Sequence, residues 1–207
     1  LNGGWHMFGS PLVPYESAME VNLSECFGNF GANWIAYDQA GNYDIATLQL
    51  NLGQGYYLAL SGPNDMFIHG DPVTGDPDNG HLASLDLSYG WTLTSNPLIT
   101  TVDKDLLTVE FEGEVLSWEM ANDAGWVQDE IKSWIIDSHQ NVPNLNPFGG
   151  YWIHTTRDLQ VHFTPHLNNY SSREVIDNND WTLNLHASDA LGDAGGDFVT
   201  ITLKEDA

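Results

Sequence analysis

Apolar and polar positions alternate with a period of two in short runs along most of the chain. TLQLNL (47–52), YYLAL (56–60), LTVEFEGEVLSW (107–118), LQVHF (159–163) and FVTITL (198–203) all carry the pattern of half-buried strands. Between them lie turns rich in Gly, Asn, Asp and Pro. Only WVQDEIKSWII (126–136) has helical spacing, with Val127, Ile131, Trp134 and Ile135 roughly on one face, which predicts a short helix there or none. The pattern predicts an all-β protein.

The strands come in a repeated order. GWHMFGSPL (4–12) returns as GWTLTSNPL (90–98), with Gly, Trp, Ser, Pro and Leu recurring. Ser95 stands four residues after its Trp where Ser10 stands five after, so the register slips there by one. WIAYDQAGNYD (34–44) is set against LSWEMANDAGW (116–126) as an aromatic hairpin, with Tyr37 opposite Trp118 and Tyr43 opposite Trp126. NLGQGYYLAL (51–60) matches NPFGGYWIHT (146–155), and FIHGDP (67–72) matches VHFTP (161–165), placing His69 against His162. DWTLNLHAS (180–188) opens a third time and then diverges. The expected organisation is two tandem β-sandwich or partly closed barrel units related by duplication. They span 1–88 and 89–176, the second with an insertion at about 127–144, and 177–207 start a third element or supply closing strands.

Charge narrows the functions. Five Lys and Arg stand against 29 Asp and Glu, a net charge of −24, which repels nucleic acid and anionic membrane surfaces. Acidic composition with few aromatics would suggest disorder, but 12% of residues are Phe, Trp or Tyr and 42% are hydrophobic, so a folded chain is expected. No apolar run approaches the roughly 20 residues of a membrane span. The single cysteine, Cys26, has no partner to bridge and no basic neighbour to activate it.

The aromatics hold most of the candidate chemistry. Trp5, Trp91 and Trp181 open strands at corresponding places and are expected in the core, with Tyr57 and Trp152. Trp34, Tyr43, Trp126 and Trp134 are the candidates for a platform on which sugar rings stack, with Asp38, Glu119, Asn42 and Asn122 to hydrogen-bond hydroxyls. Two acidic, Gly-containing loops suit Ca²⁺ as a cofactor: Asp71, Asp76 and Asp78 in the first, Asp189, Asp193 and Asp197 in the second. Neither has the full EF-hand spacing. His154 and His162 are expected on adjacent strands, without the ligand spacing of a zinc site. No GxSxG, HExxH or P-loop occurs, and 29 acids single out no carboxylate pair, so the chain reads as a non-enzyme.

The GW…SxPL opening, the aromatic hairpin and the GxGYW-like strand together resemble modules of large secreted surface proteins of Bacteroidetes-type bacteria, cargo of type IX secretion. The carriers are Gly4, Trp5, Ser10, Pro11 and Leu12; Gly90, Trp91, Ser95, Pro97 and Leu98; Gly53, Gly55, Tyr56 and Tyr57; and Gly150, Tyr151 and Trp152. The resemblance covers nearly the whole chain and implies an exported, extracellular or cell-surface module with no catalytic residue. The chain opens on LNGGW with no charged or apolar leader, so export is inferred from the resemblance alone. Two functions are expected to compete: an accessory domain binding polysaccharide, and a structural subunit or spacer of an extracellular filament, sheath or surface assembly. The partners are accordingly a glycan or neighbouring subunits, with no nucleic acid and no membrane span.

Overall fold

The computed structural model describes residues 1–73 and 82–164 in full and, beyond them, the backbone of 181–186 and 198–203. The chain divides into two compact units, Leu1–His166 and Leu167–Ala207. The class is all-β, built of open antiparallel sheets with few helices.

In the first half of the larger unit, β1 (Gly4–Gly9), β2 (Leu12–Pro14), α1 (Met19–Phe27), β3 (Trp34–Tyr37), β4 (Gly55–Leu60) and β5 (Gly70–Pro72) follow one another. β4 lies between β1 and β3 in one sheet, and β2 pairs with β5 beside it. α1 was absent from the strand-dominated reading. Its buried residues are Met19, Asn22, Leu23, Cys26 and Phe27, one helical face by spacing. Asn22 breaks the apolar pattern, but its side-chain amide donates to the Glu16 and Ala18 carbonyls. Phe8, Leu23, Trp34, Leu50, Tyr56 and Leu58 fill the core between helix and sheet.

The second half runs β6 (Ala83–Leu87), β7 (Gly90–Ser95), β8 (Val102–Asp103), β9 (Thr108–Phe111), β10 (Glu114–Ser117), α2 (Trp118–Asp123), β11 (Val127–Ile135), β12 (Ser138–Asn141), β13 (Asn144–Leu145), β14 (Gly150–Thr155) and β15 (Leu159–Phe163). One sheet has the order β12-β11-β14-β7, a second β10-β9-β15-β6, and β8 pairs with β13. Two expectations are corrected here. The helical spacing of 126–136 belongs to strand β11, whose partners β12 and β14 override local periodicity. EMANDAG (119–125), the turn of the hairpin expected over 116–126, lies largely in α2, started by Ser117, whose hydroxyl accepts from Met120 N at 3.3 Å. Trp118 therefore lies in a helix, fully buried, and is no counterpart of Tyr37.

Strand registers give the actual correspondence. β1 pairs with β4 from Gly4↔Leu60 to Gly9↔Gly55, and β7 pairs with β14 from Gly90↔Thr155 to Ser95↔Gly150. Across the third strand, Ala36 faces Leu58 and Ile131 faces Ile153. Both of those spans are 22 residues, so 127–144 holds no net insertion beyond Ile131. The second half's nine extra residues come earlier. Seven precede Val127, where the β9–β10 hairpin is built, and two form a bulge between Val127 and Ile131.

The same registers resolve the serine slip. Ser10 corresponds to Asn96, and each makes the turn before its Pro-Leu: Ser10 Oγ accepts from Leu12 N at 3.1 Å, and Asn96 Oδ1 from Leu98 N at 2.9 Å. Ser95 corresponds to Gly9.

The outer edges of β1 and β7 are closed reciprocally. Ser95 N donates to Gly53 O (2.8 Å) and Gly9 N to Phe148 O (3.3 Å), while Gln54 bridges Thr94 and Gly149 bridges Phe8. Gly53 and Phe148 both sit at positive φ, +74° and +61°, to present those carbonyls. Backbones touch at this crossing. A Cβ on Gly150 would lie 2.7 Å from Phe8 N, and one on Gly9 would overlap the Ser95 side chain. Each half thus shields the other's exposed edge, which would otherwise invite pairing with foreign strands.

In the smaller unit, β16 (Trp181–His186) and β17 (Phe198–Leu203) pair antiparallel, Trp181 opposite Leu203 and His186 opposite Phe198.

Candidate functional site

The three strands β1, β4 and β3 have a core face and an outer face. Phe8, Tyr56 and Leu58 point one way to the first core, leaving Trp5, Met7, Tyr57, Ala59 and Tyr37 on the outer face. The other half approaches that outer face most closely near Gly9 and Gly55 and also reaches Met7 and Tyr57. Burial therefore rises along β1 toward Gly9, and the Trp5 end stays open. Trp5 is 45% exposed and Trp91 38%, which corrects their expected place in the core. Tyr57 and Trp152, also expected there, are half-buried between the halves. Trp181's side chain lies outside the described residues.

The platform candidates divide. Trp34 is 2% exposed, its indole N–H donating to Gly28 O at 2.9 Å and its ring edge-on to Phe30. Trp126 is 7% exposed, packed against Phe111 with the Arg157 guanidinium over both rings. Neither can stack a ligand. Trp134 is half-buried and edge-on to His139, its enclosed Nε1 without a partner. Asn122 is half-buried on α2, away from the loop that carries Asp38 and Tyr43.

Tyr43 is 58% exposed, and it completes a row the sequence did not single out. Trp5 and Tyr37 ring centroids are 5.9 Å apart, and Tyr37 and Tyr43 are 5.6 Å apart. Three aromatics so run from β1 across β3 to the following loop. Hydrogen bonds fix that loop: Asp38 Oδ1 accepts from Asn42 N (2.8 Å), Asn42 Oδ1 from Asp44 N (3.1 Å), and Asp44 Oδ1 from Ala46 N (3.2 Å). Asn42, Tyr43 and Asp44 also border an open recess with Phe30, Ala40, Gly41 and Ile45.

Neither a protein-family model, nor a curated protein, nor a solved structure matches the chain. The geometry alone carries the reading.

Beyond the row, Tyr57 is the hinge of the seam between halves. Its hydroxyl accepts from Trp152 Nε1 (2.9 Å) and lies 2.8 Å from His139 Nε2. Trp91 is packed by His154 and capped by Lys132, whose Nζ is 5.0 Å from the ring centre. Lys132 also pairs with Glu130 and holds that carboxyl below its ordinary pKa, with Asn141 assisting. Trp91, 38% exposed against 45% for Trp5, thus already has a cation over its ring.

Of the metal candidates, Asp71 is exposed and accepts the Tyr15 hydroxyl at 3.0 Å. Asp76, Asp78, Asp189, Asp193 and Asp197 lie outside the described residues. Among the described residues no three His, Cys, Asp or Glu converge as a metal site. His154 and His162 are on different sheets, β14 and β15, and not on adjacent strands. His69 is exposed just before β5, whereas His162 is buried, so the two are not equivalent. His162 Nδ1 lies 2.7 Å from Ser84 Oγ and Nε2 3.0 Å from Glu110 Oε2, tying β6, β15 and β9 together. Cys26 is buried, its sulfur bonded to the Phe67 backbone N–H and carbonyl. No described helix is long and apolar enough to cross a membrane.

Proposed function

We propose that this chain is a non-catalytic extracellular or cell-surface module that binds polysaccharide through Trp5, Tyr37 and Tyr43. The observation carrying the reading is the row of three rings, Trp5 and Tyr43 exposed about a half-buried Tyr37 and tilted 35° and 54° along the row, beside a hydrogen-bonded Asx loop. Sugar rings present apolar C–H faces to aromatic planes and hydroxyls to amides and carboxylates, and Asn42, Asp38 and Asp44 stand beside the rings to meet those hydroxyls. Leaving Trp5 and Tyr43 in water has no packing benefit for the fold. The matching registers of the two halves support an origin in duplicated β-sandwich units, and the GlyTrp and GlyTyr strands support membership of the type IX cargo-like surface modules. Ca²⁺ in the acidic loops remains part of the proposal.

Affinity electrophoresis through gels containing soluble polysaccharides tests it. The expected result is retardation by at least one glycan, abolished in Trp5→Ala and Tyr43→Ala while Trp134→Ala retains it. Unretarded wild-type protein across neutral, cationic and anionic glycans would end the reading.

The second reading, a subunit of an extracellular assembly, draws on the β11–β12 hairpin. β12 is an outer strand, and Ile136 at the hairpin tip is 88% exposed. Light scattering with Ca²⁺ and with EDTA separates the two: ordered particles favour assembly, and a monomer favours the glycan module.

A further inference from the structure

Resting on the glycan reading, we propose that the ligand carries free amino groups, a glucosamine-type polysaccharide whose ammonium groups meet the carboxylates of Asp38 and Asp44 while its rings lie on Trp5, Tyr37 and Tyr43. Residues 1–103 contain eleven Asp and Glu and no Lys or Arg. An anionic glycan such as a uronate or sulfated polymer would meet this half with no side-chain cation to receive it, other than a protonated histidine. Lys132 of the neighbouring sheet is already engaged by Glu130 and Trp91.

The loop, by contrast, is arranged for a cation. Asp38 and Asp44 each spend Oδ1 on a loop N–H, and Oδ2 of each makes no hydrogen bond among the described residues. Both carboxylates are thereby oriented beside Tyr43 and still able to accept an ammonium N–H. The aromatic faces add to the attraction, because the ring quadrupole draws a cation that a neutral sugar lacks. Three rings running from the sheet face into the loop, tilted 35° and 54° along the row, offer separate faces to successive sugar rings, a better match than to the flexible side chains of a basic peptide.

Isothermal titration at near-physiological salt, below the titration of the sugar amine, would compare a glucosamine hexamer with its N-acetylated form, a glucose hexamer, a galacturonate hexamer and oligolysine. The expected result is a preference of about tenfold or more for the free amine over the N-acetyl form, the size of one or two cation–aromatic and charged hydrogen-bond contacts. Asp44→Asn should shrink that preference severalfold, and Trp5→Ala or Tyr43→Ala should remove binding with the thermal midpoint unchanged. Equal binding of both hexamers would overturn the amine assignment and leave the glycan reading standing. A preference surviving both aromatic variants would mean general attraction to a −24 protein and overturn the site. Oligolysine bound as tightly and with the same dependence on Tyr43 would replace the sugar by a basic peptide. Absence of binding to every sugar overturns both readings.

Discussion

The two halves of the larger unit share a strand plan and treat it differently. β1, β4 and β3 carry an outer face left open at Trp5, while β7, β14 and β11 carry one where Lys132 and His154 close over Trp91. The first half has no lysine or arginine through residue 103, and the second half contains Lys104, Lys132 and Arg157. The same strand plan thus leaves a tryptophan open in one sheet, where the glycan reading puts its ligand, and places a lysine over the corresponding tryptophan in the other. What both halves keep is the buried tyrosine opening the fourth or fourteenth strand. Tyr56 OH accepts from Asn51 N at 3.0 Å and donates to Gln49 O, and Tyr151 OH accepts from Asn146 N at 2.5 Å. Burial raises both phenols, that of Tyr151 to about 12.

Truncating the buried tryptophans should have the largest effect. Trp126→Ala is expected to cost about 4 kcal/mol of unfolding free energy by denaturant titration, while Trp5→Ala changes stability by under about 0.5 kcal/mol. Equal costs would erase the distinction between core and surface tryptophans. Next is the crossing of the two halves. Gly9→Ser places a second side chain against Ser95 and should cost about 3 kcal/mol. Ser95→Gly removes a buried hydroxyl without a partner and should cost little; because a Cβ at residue 9 also meets Gln54 O at 2.5 Å, the double variant should recover only part of the loss, a partial non-additivity readable in a double-mutant cycle.

Tyr151→Phe leaves Asn146 N without its acceptor inside the protein and should cost about 2 kcal/mol, with Tyr56→Phe similar. In the wild type these phenols keep their protons above the ordinary value of 10 in the folded state. Their contribution is therefore full below pH 10 and is lost as pH rises toward about 12, which phenolate absorbance during alkaline unfolding would follow. Stability unchanged through that window would contradict their burial. The smallest effect concerns the β11–β12 turn, where Ile136 and Asp137 both sit at positive φ (46° and 63°). Ile136→Asn with Asp137→Gly should add about 1 kcal/mol, since a β-branched residue is poorly suited to such a turn. A loss instead would mean that Ile136 makes a contact in the folded chain.

Strand class and repeated order were legible because period-two alternation and the Gly-Trp and Gly-Tyr landmarks are local. β1, β4, β7 and β14 lie where those landmarks stand. The third strand of the second half was not legible, whereas WIAY in the first was. Trp118 and Trp126 matched Tyr37 and Tyr43 by aromatic spacing, yet helix α2 and a two-residue bulge intervene, and only the pairing of Ile131 with Ile153 reveals the register. The proposed site was half legible: Tyr43 and Asp38 could be nominated from residue type, whereas Trp5 and Tyr37 were assigned to structure. Burial of Trp5 depends on how far the second half reaches across the first sheet, a long-range fact. The pairing of GWHMFG with GYYLAL placed Trp5 beside Ala59 and away from Phe8, the one signal that could have separated it from the core.

The contact between Gly9 and Ser95 also constrains how this sequence can drift. The two positions correspond in the halves and face each other across the crossing, so two serines do not fit. A side chain at residue 9 would also meet the Gln54 carbonyl at 2.5 Å, so in an alignment of relatives position 9 should hold glycine while position 95 varies among small residues. Apart from a pair of glycines, the same residue at both positions is sterically forbidden here, and the fold itself keeps its two halves unlike at this crossing.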